Sequence, residues 1–81
     1  MEKKTFITSG TCAKQISFEY ENGIMYNLEF LGGCPGNLKA ISKLCHGKPM
    51  VEIMELLEGN TCGPRATSCA DQLAKAIKEV L

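Results

Sequence analysis

Five cysteines in 81 residues are the groups best able to do chemistry: Cys12, Cys34, Cys45, Cys62 and Cys69. A thiolate can ligate a metal, attack an electrophile or exchange with a disulfide. Cys34 and Cys69 each stand where a helix is expected to begin, and the free N–H groups and dipole of a helix start favour a thiolate. Cys62 lies beside the Gly63-Pro64 turn, and Cys12 follows Gly10-Thr11. Cys45 differs, because it falls in the last turn of a predicted helix and on its apolar side; it reads as a core residue. His46 reads as a C-terminal cap or surface residue. Four junction cysteines therefore stand apart from one interior cysteine. Four converging thiolates suit zinc first and an iron–sulfur cluster second. The spacing is unusual for either, with gaps of 21, 27 and 6 residues between Cys12, Cys34, Cys62 and Cys69 and no Cys-x-x-Cys. Ligands drawn from so far apart must be gathered by the fold. A dithiol/disulfide pair among the same residues is the alternative chemistry.

The bulk properties narrow the setting. Eighty-one residues make one domain, spanning 1–81. A chain this short buries a modest core, so a metal, a disulfide or a second copy would help its stability. Nine basic residues balance nine acidic ones, which argues against a general nucleic-acid binder or a binder of anionic membranes. No apolar run approaches the roughly 18–20 residues of a membrane span. The start, Met1-Glu2-Lys3-Lys4, leads directly into a strand pattern, so a cytoplasmic location is expected. In a reducing compartment, clustered cysteines point to metal or redox chemistry more than to structural disulfides.

The elements that must position the thiols follow from periodicity. Lys4–Ser9 reads as a first strand. Gln15–Tyr20 alternates, with Ile16, Phe18 and Tyr20 on one face. Ile24–Phe30 alternates with Ile24, Tyr26, Leu28 and Phe30 on one face. A three-residue loop, Glu21-Asn22-Gly23, would put both apolar faces on the same side by pairing Tyr20 with Ile24, Phe18 with Tyr26 and Ile16 with Leu28. That register sets Cys12 opposite Gly32, so Cys12 and Cys34 leave the same end of the hairpin. Leu38–His46 is a helix that buries Leu38, Ile41, Leu44 and Cys45. Pro49–Glu58 is a second helix, with Pro49 in its first position and Met50, Ile53, Met54 and Leu57 buried. Ser68 caps a last helix, with Asp71 three residues on. Cys69, Leu73, Ala76, Ile77 and Val80 form its apolar stripe, and Asp71, Lys75, Lys78 and Glu79 its wet side. The fold class expected is α+β: a three-stranded antiparallel sheet followed by three helices packed on one face. The glycine-rich turn before the first helix offers Gly33, Gly36 and Asn37 as a weak anion nest, without the Gly-Lys-Ser/Thr of a P-loop.

Leu31–Leu38 (Leu-Gly-Gly-Cys-Pro-Gly-Asn-Leu), Cys62–Arg65 (Cys-Gly-Pro-Arg) and Thr67–Ala74 (Thr-Ser-Cys-Ala-Asp-Gln-Leu-Ala) together resemble the TSCPD domain. The motif that names the domain is spelled here at Thr67–Asp71, with Ala70 in place of proline. The family occurs at the C-terminus of some adenosylcobalamin-dependent ribonucleotide reductases and as short stand-alone bacterial proteins with four recurring cysteines. That pattern falls on Cys12, Cys34, Cys62 and Cys69 and leaves Cys45 outside. The resemblance implies an association with ribonucleotide reductase; the residues themselves make a metal-binding module the first reading, with a thiol/disulfide redox helper or a nucleotide- or anion-binding regulator as the alternatives. Eighty-one residues cannot hold a cobalamin site and a radical-generating barrel, so stand-alone catalysis is not expected. A homodimer is a further expectation, because a three-stranded sheet leaves an open edge.

Overall fold

The order β1 (Glu2–Ile7), β2 (Ala13–Glu21), β3 (Ile24–Gly32), α1 (Pro35–Cys45), α2 (Met50–Leu57), α3 (Cys69–Val80) realises the expected α+β plan. The computed structural model describes residues 1–8, 10, 13–32, 35–60 and 67–81. The three strands form one antiparallel sheet in the order β1-β2-β3. α3 lies over β1 and β2, α1 packs on β3, and α2 packs on α3. Ile16 and Phe18 alternate inward from β2 and are fully buried. They meet Met25 and Leu28 from β3, Cys45 from α1, Met50 and Ile53 from α2, and Leu73, Ala76 and Ile77 from α3. Strand β1 begins two residues earlier than its pattern predicts.

The β2–β3 hairpin corrects the expected register. The loop has two residues, Asn22 and Gly23, and Glu21 pairs with Ile24 and Tyr20 with Met25. Both loop residues have positive φ, 53° and 78°, as a type I′ turn requires; its twist matches that of the flanking strands. This turn puts Met25, not Ile24 and Tyr26, on the core face. The conflict with Leu28 and Phe30 is resolved by a bulge between the Glu19–Tyr26 and Ser17–Glu29 pairs. Asn27 supplies the extra residue, in the left-handed region at φ 51°. The strand changes phase there, so Met25 before the bulge and Leu28 after it are both buried.

Asn27 is held from two sides. Its side-chain amide donates to Glu19 Oε1 at 2.8 Å, and its backbone N–H donates to His46 Nδ1 at 3.1 Å. His46 also stands edge-on to Tyr26. Just beyond His46 the chain runs beside β3. The Gly47 N–H donates to the Met25 carbonyl at 2.7 Å, Met25 returns its N–H to Lys48 at 2.9 Å, and Met50 donates to Gly23 at 2.8 Å. Gly47–Pro49 thus occupies the hairpin end of the β3 edge.

Three helix details differ from expectation. Leu44 is exposed, because α1 rests on β3 through Leu38 and Cys45 and turns Leu44 away. Pro49 is the N-cap of α2 and not its first helical residue; its carbonyl accepts from Ile53. Asp71 is buried, not on the wet side of α3. The bulge makes a prediction. Asn27→Val should destabilise the protein by about 1–2 kcal/mol, the cost of a β-branched residue in the left-handed region. Asn27→Gly should stay within roughly 0.5 kcal/mol of wild type, since glycine adopts this φ freely. Urea unfolding of the two variants checks both.

Candidate functional site

The four junction cysteines belong to connections that the described residues close off. Cys69 is the first residue of α3; it is half-buried and a free thiol. Cys12, Cys34 and Cys62 lie outside the described residues, as does Gly33. Their neighbours are described. Ala13, next to Cys12, pairs with Gly32, two residues before Cys34. Thr8 bridges the β1–β2 connection, its hydroxyl donating to the Ala13 carbonyl at 2.5 Å and its N–H to Lys14 at 3.3 Å. Gly10 sits directly against Thr67, two residues before Cys69. A Cβ on Gly10 would come within 3.2 Å of Thr67 Cγ2, and its φ of 72° already favours glycine.

The ends of the six-residue segment 61–66, which carries Cys62, are clasped by the start of α3. Ser68 caps the helix by accepting the Asp71 N–H at 3.1 Å, as the sequence pattern predicts. The Ser68 hydroxyl also donates to the Asn60 carbonyl at 2.5 Å, and the Asn60 amide donates back to it at 3.2 Å. The Asp71 carboxylate accepts the Gly59 N–H at 2.7 Å and the Thr67 hydroxyl at 2.5 Å. Gln72 donates to Thr67 Oγ1 at 3.1 Å. Gly59 and Asn60 on one side and Thr67 and Ser68 on the other are therefore tied through one serine and one carboxylate.

The Thr67 hydroxyl and Gly59 N–H hold the Asp71 carboxyl below its ordinary value near 3.8. Burial opposes them, and Lys75, 3.7 Å away, adds to the lowering. Sequence reasoning recognised Asp71 only as part of a helix cap and missed this second duty. Gly59 and Asn60 before the cysteine loop were the available signal.

Cys45 sits in the core, 6 % exposed, and burial raises its thiol pKa. It packs with the core cluster, in line with its reading as a core residue. Gly36 and Asn37 are both exposed in the first turn of α1. Beside that turn an open groove of about 440 Å³ is lined by Leu28, Glu29, Phe30, Gly32, Leu38, Lys39 and Ser42. Among the described residues, no three His, Cys, Asp or Glu side chains come together as a metal site, and no helix is long and apolar enough to cross a membrane.

A family model, the TSCPD domain, matches residues 1–81, the whole chain. The chain belongs to the TSCPD domain family. Neither the curated proteins nor the solved structures provide a match. In this TSCPD domain the residues that name the family do structural work: Thr67 and Asp71 hydrogen-bond each other, Ser68 caps α3, and Ala70 is buried where the name has proline.

The depressed Asp71 value fixes the sign of a pH effect. A carboxyl with a lowered folded-state pKa adds stability that is present above its unfolded value and lost as pH falls through the folded value. Wild type should therefore lose stability below about pH 4. Asp71→Asn, which keeps the shape but not the charge, should cost about 1–3 kcal/mol at pH 7. The gap between the two proteins should narrow steadily below pH 4. Thermal melts of both between pH 2.5 and 7 measure this, and a constant gap would contradict it.

Proposed function

We propose that this TSCPD domain is a small metal-binding module in which Cys12, Cys34, Cys62 and Cys69 hold one zinc ion. The observation that carries the reading is that the described neighbours of these cysteines are tied to one another across three chain segments. Ala13 pairs with Gly32, Gly10 lies against Thr67, and Gly59 and Asn60 are bonded to Ser68 and Asp71. Four thiols are a complete donor set for tetrahedral zinc, and structural zinc sites add directly to folding energy. A chain with a core this small gains from such a staple. Cys45, packed in the core, stands outside the proposed set.

The reading extends to a cytoplasmic location, where thiols stay reduced, and to association with ribonucleotide reductase, the enzyme on which this domain occurs as a C-terminal part. The second reading is a dithiol that carries reducing equivalents to such an enzyme. It is favoured by one observation: Cys69 is a free, half-buried thiol at a helix start. Nucleotide or anion binding at Gly33, Gly36 and Asn37 has less support, because the neighbouring groove carries Glu29 as well as Lys39.

Protein purified without chelator should contain about one zinc per chain. Changing any of Cys12, Cys34, Cys62 or Cys69 to Ser should remove it, and Cys45→Ala should not. Chelation should lower the melting temperature, by about 4–8 °C for each kcal/mol the site contributes in a domain of this size. A metal-free protein whose melting is indifferent to chelator sinks the zinc reading. A thiol count that falls by two on mild oxidation and is restored by thioredoxin would then support the dithiol.

A further inference from the structure

α1 and α2 are consecutive, yet each packs elsewhere: α1 on β3, α2 on α3, and only sparsely on one another. The space between them is an apolar groove of about 220 Å³ lined by Ile41, Leu44, Cys45, Ile53, Leu56 and Leu57. Leu44 and Leu56 stand at its margins, 72 % and 73 % exposed. These are the two most exposed leucines of the described residues, and they come from the two helices that face each other across the gap. Two charged residues complete the lining, Lys48 and Glu52. Neither makes an ion pair among the described residues.

We propose that this groove is a homodimer interface, which a second copy of the chain covers about a two-fold axis. The rim charges choose the occupant. A two-fold interface sets one patch against itself, so each residue meets the residue that its counterpart meets. A rim with one cation and one anion is complementary to its own two-fold mate: Lys48 of each copy meets Glu52 of the other. The exposed Leu44 and Leu56 then enter the facing groove. The chain as a whole is neutral, nine charges of each sign, so two copies approach without net repulsion. The β3 edge is the weaker candidate for self-association, because Gly47–Pro49 already pairs with its hairpin end. This interface is distinct from the thiol chemistry: Cys69, the one of those four thiols among the described residues, does not line the groove.

Sedimentation equilibrium of the full chain from micromolar to millimolar concentration tests the proposal. Wild type should approach twice its 8.8 kDa mass within that range. Leu56→Lys should weaken the dimer about tenfold or more, as a charge set into an apolar contact. Lys48→Glu and Glu52→Lys should each weaken it to a similar degree, because each places like charges opposite one another at two symmetry-related points. An equimolar mixture of Lys48→Glu and Glu52→Lys proteins should associate more tightly than either alone, since one copy then carries only acids at the rim and the other only bases. Far-ultraviolet circular dichroism confirms that each variant is folded before it is weighed. A wild type that stays monomeric at millimolar concentration overturns the proposal. So does a dimer that the charge changes leave intact, which would place the contact elsewhere, such as the β1 edge.

Discussion

A helix that starts inside a protein must find acceptors for its first N–H groups there, and α3 starts inside this one. Ala70, Asp71, Gln72, Leu73 and Ala74 are all buried, so water cannot satisfy the helix end and the chain must. Ser68 takes the Asp71 N–H. Burying this turn also brings the Asp71 carboxylate indoors, where it is tolerable only with partners. Thr67, Gly59 and Lys75 supply them. Because those partners lie on both sides of segment 61–66, satisfying one helix terminus also fixes where α2 ends, where α3 begins and where Gly10 comes to rest. Ion pairs at the far end, Lys4 with Glu79 and Lys78 with Glu58, are exposed and add little by comparison.

What the sequence could say depended on how local the cause was. The cap at Ser68 and the stripe Leu73, Ala76, Ile77 were legible, since a hydrogen bond three residues away and a 3.6-residue period are both local. The hairpin was legible in place but not in register. Choosing the loop by matching faces assumed an unbroken β3, and that assumption fails at Asn27. An asparagine tolerates positive φ, but what holds it there is His46, 19 residues on, together with the pairing of Gly47–Pro49 beside Met25. No window of sequence contains both partners. Leu44 misled for a related reason: a helical period marks an apolar face without naming the neighbour that covers it, and α1 meets β3 on one side only.

Among the described residues the candidate site is represented by Cys69 and by the neighbours of Cys12, Cys34 and Cys62. Cys45 was separable from the other cysteines because its place in a helix, late and on the packing side, is itself periodic information. The grouping of Cys12 with Cys34 rested on a register that proved to be displaced, yet the pairing of Ala13 with Gly32 leaves their neighbours together. Two irregularities of the hairpin offset each other, which leaves the expected register displaced by one residue at this end. The β3 bulge adds a residue on one strand, and the irregularity between Ala13 and Gln15 adds one on the other. Hairpin ends are robust in this way, since opposite bulges restore the pairing that either one alone would shift. The second duty of Asp71 was legible only in outline: Gly59 and Asn60 mark the end of α2, but nothing local says that the Asp71 carboxylate, whose N–H enters the Ser68 cap, reaches across to Gly59.

The clasps bear on what a metal held by these thiols would do. Gathering ligands from segments separated by 21 and 27 residues is costly in a free chain, since closure entropy grows with the length closed. Here the sheet, the Thr8 bridge and the Ser68–Asp71 network bring the described neighbours of the four cysteines together, so a metal at these thiols would face less of that closure cost. Among the described residues the core runs from Ile16 and Phe18 to Leu73 and Ile77 and does not include Cys69. This differs from a zinc finger, which has too little core to fold without its metal. In this chain the core would set the positions of the connections, and the metal would lock connections already brought close. Affinity in such a site reports preorganisation as much as donor chemistry, so changes at Asp71 or Gly10, which carry no ligand, would be felt at the ion.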